Sequence, residues 1–196
     1  MAIIPYPNPT FHEQVQLRPM VAVQSNRSEL TGARQALDTG YAWWEATVVV
    51  EPMDGVCERA WRVFTGRARG SAHSFRLPIL EGPQHSWTST VRARGAGSGY
   101  SLVVDGLPGS ATPLLAGYYV TVGDQLMLLD EDVATSAAGV GTLRFHSPLR
   151  RIVADDTVIE TSNPWLLACF PQNAPPLTRT FELAQDGFSF DVMEAY

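Results

Sequence analysis

Apolar residues along this chain recur mostly at every second position, the period of a half-buried strand. Residues 41–51 are the strongest such run, because Trp43, Trp44, Thr47, Val48, Val49 and Val50 are aromatic or β-branched. Ala42, Trp44, Ala46, Val48 and Val50 share one parity, and Trp43, Glu45, Thr47 and Val49 share the other. Both faces are partly apolar, which suits a strand covered by a core on one side and by a second chain or domain on the other. Residues 11–23 also read as strand, with Val15, Leu17, Val21 and Val23 between polar residues and Pro19 as a local break or bend. Between these runs, residues 25–38 are polar and contain Gly32, so they read as a loop or a long hairpin connection.

The second half of the chain continues the two-residue period in shorter pieces. Residues 118–122 and 125–129 flank Gly123-Asp124, a hairpin turn pair. Residues 142–145 and 157–161 follow, the latter after the Asp155-Asp156 turn, and 114–161 together predict a compact barrel or sandwich. Residues 79–113 are rich in glycine, serine and proline, with short strands over 88–94 and 100–105. Beyond the apolar run 165–170 and a proline-rich connector, the chain closes with 178–183 and 187–196. There Phe188, Phe190, Val192 and Tyr196 have strand parity, and the sheet around 41–51 is the expected host.

One stretch breaks the pattern. In residues 52–78, Val56, Ala60, Val63, Phe64 and Ala68 fall at helical spacing and predict one buried helix face. Asp54 caps the start and Gly70 stops the helix, while Arg67 and Arg69 suit the negative end of its dipole. A strand over 74–77 follows. The first ten residues, rich in proline, read as an extended arm that packs on a neighbour.

The 196 residues carry a net charge of -6 with no basic block, which gives nucleic-acid binding little support. No run approaches membrane-spanning length, and no signal peptide is legible at the start, so synthesis and assembly are expected in the cytoplasm. Cys57 and Cys169 read as small buried hydrophobes rather than a disulfide. His12, His73, His85 and His146 have no metal-ligand spacing with them.

Candidate chemistry is thin. Asp130, Glu131 and Asp132 are adjacent, so on an extended chain they alternate faces instead of converging as an acid/base pair. No Gly-x-Ser-x-Gly elbow frames a serine, and Gly95–Gly99 lacks the helix and the lysine-serine pair of a phosphate cradle. No cofactor and no catalytic residue is expected. Arg59, Arg62, Arg67, Arg69 and Arg76 gather in and around the helix, and guanidinium forks bind carboxylates bidentately. These five are the candidate inter-subunit contacts, with charge reversal at Arg62 or Arg67 expected to weaken assembly more than folding.

Three passages resemble a known family, the distal tail and tail-hub-associated proteins of long-tailed bacteriophages and prophages. They are Ala60-Trp61-Arg62-Val63-Phe64 through to Ser74-Phe75-Arg76-Leu77-Pro78, then Leu115-Ala116-Gly117-Tyr118-Tyr119-Val120-Thr121-Val122-Gly123-Asp124-Gln125-Leu126 continuing to Ser147-Pro148-Leu149-Arg150, and the terminal Phe188-Ser189-Phe190-Asp191-Val192-Met193-Glu194-Ala195-Tyr196. The resemblance implies a non-enzymatic virion protein, assembled as a hexameric ring that joins the tail tube to the tip hub and fibre proteins and lets DNA pass. It also implies a mainly β fold: a tail-tube-like β-sandwich with one flanking α-helix near 54–69, plus an inserted small β-barrel or sandwich module. Residues 1–78 with 180–196 would form the ring domain, and 79–179 the peripheral module. Two other readings stand beside it: a carbohydrate-binding β module using Trp87, Tyr100, Tyr118 and Tyr119 as stacking platforms, and a β-rich hydrolase using His146 or the acidic turns.

Overall fold

The computed structural model describes residues 1–8, 10, 12–53, 55–177 and 187–195, and leaves the side chains of 38, 55 and 56 undescribed. In chain order the elements are β1 (Ile3–Ile4), β2 (His12–Arg27), β3 (Arg34–Val50), α1 (Gly55–Ala68), β4 (Ser74–Pro78), β5 (Val91–Ala93), β6 (Gly97–Asp105), β7 (Tyr119–Val122), β8 (Gln125–Leu128), β9 (Gly141–Val153), β10 (Val158–Glu160), β11 (Trp165–Cys169) and β12 (Phe188–Glu194). The chain is mainly β, with one α-helix among the described residues. It divides into two compact units. The first comprises Met1–Arg18, Trp44–Pro83 and Asn163–Tyr196; the second comprises Pro19–Trp43 and Gln84–Ser162. The 165–170 run, placed by sequence in the peripheral module, thus falls in the first unit and pairs with β4 through Trp165↔Pro78 to Ala168↔Phe75.

The first unit is built on a sheet of order β1-β4-β11-β12-β3-β2. β12 pairs antiparallel with β3, as its aromatic alternation predicts, from Phe188↔Val50 to Met193↔Glu45. The pairs Phe190↔Val48 and Val192↔Ala46 lie on the buried face. Across the other face the Thr47 hydroxyl donates to Asp191 Oδ1 at 2.6 Å. Helix α1 covers the buried face through Trp61, Phe64 and Ala68.

The helix face is offset from the one read from spacing. Val63 is 51% exposed while Trp61 is 1% exposed. An indole has far more apolar area to remove from water than a valine, so it fixes the rotation of the helix. The Trp61 ring lies edge-on to Tyr6, Phe64 and Phe188, and 5.9 Å from Phe190. The expected cap Asp54 lies outside the described residues, as do 178–183 and Tyr196. At the other end Arg69 and Gly70 both have positive φ. A Cβ on Gly70 would sit 2.2 Å from the Gln172 carbonyl oxygen, so only glycine fits that stop.

The N-terminal arm packs on its own chain. β1 runs parallel to β4 through Ile3↔Ser74 and Ile4↔Phe75. Tyr6 then drops into the aromatic cluster, stacked on Phe75 at 5.5 Å and sharing a 2.6 Å hydrogen bond with His12. Burial raises the Tyr6 hydroxyl pKa well above its usual value and lowers that of His12 to about 4.

The second unit contains a barrel of order β8-β7-β10-β5-β6-β9. The bridge Leu129↔Phe145 joins the end of β8 to β9 and brings the barrel close to closure. Its interior is mainly aliphatic, including Val104, Leu114, Val120, Met127 and Leu143, with Phe145 among them. β7 and β8 are joined at Val122↔Gln125 by Gly123 and Asp124, both at positive φ, which is the turn geometry whose twist matches the strands. β9 runs on past Pro148, where sequence stops the strand at residue 145. Gln125 holds that continuation by donating to the Pro148 carbonyl at 3.4 Å and accepting from the Arg150 N–H at 3.1 Å.

Two outcomes follow from these cores. Trp61→Ala should cost about 3–5 kcal/mol and lower the urea midpoint of the first unit, while the aliphatic barrel retains its far-ultraviolet signal. The His12 pKa is depressed in the fold, so as pH falls below about 6.5 the unfolded chain takes up that proton first. Stability should therefore drop between pH 6.5 and 4, and His12→Asn should flatten the drop in melts followed across that range.

Candidate functional site

A strand without a neighbour on one side must satisfy that row of N–H and C=O groups with side chains or water. β3 has β12 on one side up to Glu45 and β2 on the other. The β12 ladder ends there by a side-chain device. Glu194, 5% exposed, turns its carboxylate back and accepts the Trp44 N–H at 3.0 Å. The ladder thus stops at a satisfied donor rather than an orphaned one.

Beyond this point β2 and β3 run on as a two-stranded ribbon. Residues 25–38, read from sequence as a loop or long hairpin connection, are largely strand, and the turn occupies only 28–33. Among the described residues of Pro19–Trp43 no side chain is buried. Val21, Val23, Leu37 and Tyr41 are all more than 40% exposed, and Leu30 at the turn is 98% exposed. β2 is the outermost strand of its sheet, so one row of its N–H and C=O groups faces away from β3. Pro19 is tolerated because an edge strand has an unneeded donor side. The half-buried positions switch parity there, from Val15 and Leu17 to Met20 and Ala22, as an extra residue in a strand requires. Sequence reading found Val21 and Val23 as strand positions and missed their exposure, since pairing partners are not encoded locally.

The five candidate arginines are all exposed, and their surroundings differ. Arg62 pairs at 3.2 Å with Glu58, whose side chain is 3% exposed, one helical turn earlier. Arg76 lies on β4 with its guanidinium 4.8 Å from the centre of the Trp165 ring. Arg69 is the left-handed residue after the helix. Arg59 and Arg67 line a groove between α1 and the arm. The arginine-bearing side therefore has at least two roles: Arg62 serves a buried carboxylate, while Arg59 and Arg67 face solvent.

The chemistry candidates are dispersed. Asp132 accepts the Ala116 N–H at 2.8 Å, and Glu131 pairs with Arg144 at 3.2 Å across exposed surface. His146 is exposed on β9. Asp155 accepts from Gly95 N–H at 2.7 Å, and Gly97 and Gly99 belong to β6, paired with Val153 and Leu149, so the glycine-rich stretch is a strand entry rather than the flexible turn expected from sequence. Trp87 stacks on His85 with ring centres 3.6 Å apart and packs on the barrel interior, as does Tyr118. His85 in turn bonds the Trp87 carbonyl and the Thr161 hydroxyl, and burial lowers its pKa. These rings serve the barrel, and Tyr100 alone of the four platform candidates is more than half exposed. Cys57 and Cys169 are free thiols. Among the described residues no three His, Cys, Asp or Glu side chains gather as metal ligands, and no helix is long and apolar enough to cross a membrane.

Arg62 and Arg67 should separate on reversal. Arg62→Glu sets a like charge beside buried Glu58 and should cost about 1.5–3 kcal/mol. Arg67→Glu should stay within about 0.5 kcal/mol in the same chemical denaturation. No protein-family model matches the chain, and no curated protein matches it.

Proposed function

We propose that this chain is a structural, non-enzymatic protein that assembles head-to-tail into a closed ring through its β2–β3 ribbon. The observation that carries this is the ribbon: a long hairpin without a buried side chain among the described residues, edged by the outermost strand of its sheet. A two-stranded hairpin is marginal in water by itself, and its edge is a template for another strand. A second copy that lays its own ribbon against β2 satisfies the backbone row and covers Val21 and Val23 in one step. Repetition of such a heterologous contact closes a ring when the rotation fits.

The resemblance to distal tail proteins supplies the biological setting of the proposal. The ring would be a hexamer at the tail tip of a long-tailed phage virion, assembled in the host cytoplasm. It would seat on the tail tube protein, hold hub and fibre proteins, and leave a central passage for DNA. The mainly β fold, the one α-helix among the described residues and the barrel-like second module support that reading.

Val21→Lys with Val23→Lys tests it, because both positions are 43–49% exposed and surface changes leave the fold within about 0.5 kcal/mol. Wild-type protein should elute as a closed oligomer in light-scattering chromatography and show rings by electron microscopy. The double variant should be a folded monomer. A wild-type chain that stays monomeric at every concentration would sink the ring, and intact rings from the variant would remove β2 as the seam.

A further inference from the structure

The arm and α1 enclose a groove of about 450 Å³. Pro5 and Pro7 form one wall, and Ala60, Val63 and Phe64 line the helix side. Val63 leaves half its surface to solvent there. Arg59 and Arg67 stand four residues before and after it on the same helix and also line the groove. Among the described residues neither makes an ion pair, although the chain carries a net charge of -6. The arm is fixed before any ligand arrives, by the β1–β4 pairing and by Tyr6 in the aromatic cluster. A preformed groove loses little ordering entropy on binding.

We propose that this groove docks an acidic peptide segment of a partner chain. The segment lies extended along α1, with an apolar side chain on Val63 and one carboxylate at each guanidinium. The spacing favours that shape. Arg59 and Arg67 are separated by about 12 Å of helix rise, and four residues of extended chain span about 13 Å. Positions i, i+2 and i+4 of an extended peptide turn to one face, so acid, apolar residue and acid meet Arg59, Val63 and Arg67 together. Guanidinium forks bind carboxylates bidentately, which suits arginine rather than lysine at both ends. The apolar floor between the charges disfavours a continuous phosphate backbone. This site rests on the first unit alone and is independent of ring formation.

Fluorescence anisotropy tests it, with a labelled ten-residue peptide that carries a leucine midway between two glutamates four positions apart. Wild-type protein should bind it saturably and more weakly as salt rises. Arg59→Glu with Arg67→Glu, and separately Val63→Asp, should each weaken binding at least tenfold with an unchanged melting temperature. A peptide with lysines in place of the glutamates should not bind. No saturable binding by folded wild-type protein overturns the proposal, and so does binding that survives the double reversal. If the peptide fails but the double reversal impairs the chain's own assembly, the groove's occupant is a second copy and the proposal also falls.

Discussion

Backbone hydrogen bonding along β3 is the constraint on which the rest depends. Between Val50 and Glu45 the strand is paired with β12, with β2 its neighbour on the other side, and its inward residues lie under Trp61 and its neighbours. At Trp44 a carboxylate replaces the missing strand. Past Trp44 its strand neighbour among the described residues is β2. A single strand thus passes from a dry core to a segment whose described side chains are all at least partly exposed. The packed part can hold the ribbon in register, because a slip of one residue would turn Val48 and Val50 outward.

The two units solve the burial problem with different residues. Around α1 the core is aromatic: Tyr6, Trp61, Phe64, Phe75, Phe170 and Phe190 meet ring to ring. Large rings let a single helix cover a broad sheet. The barrel interior, by contrast, is filled mostly by aliphatic chains, with Phe145 the one ring among its buried residues, and these fit where strands curl around a small volume. Its polar pins lie at the margins: Gln84 donates to the carbonyls of Tyr119 and Thr161, and Gln125 holds the strand past Pro148. Interactions at such margins fix register more than they add stability.

Sequence patterning located the elements that follow local rules. The Phe188-Phe190-Val192 alternation identified both a strand and its host, and Gly123-Asp124 marked a hairpin because both residues tolerate positive φ. The helix was legible, but its rotation was not, since Val63 and Trp61 compete for the core and only the tertiary surroundings decide. The ribbon escaped for a different reason. With both faces in water, residues 25–38 have no reason to alternate, and the period that betrays a strand is absent. The candidate surface is likewise a property of neighbours: an exposed edge exists because no other strand lies there, and composition does not report that. The arginines were found by clustering, yet Arg62 differs from Arg67 only because Glu58 lies beneath it.

The chain order of the sheet has a consequence for biosynthesis. β12 sits between β11 and β3, so a strand made after all the other described ones occupies the middle of the first unit. The barrel strands β5 to β10 are contiguous in sequence and can close while the rest is still being translated, since their contacts span shorter loops. The first unit has to wait with β3 and the aromatic face of α1 uncovered until Phe188 and Phe190 emerge. During that interval the side of β3 that β12 will cover stays open from Glu45 to Val50. A ribosome that stops before β12 therefore releases a folded barrel attached to an adhesive, half-made sheet, the kind of product that chaperones hold and proteases clear.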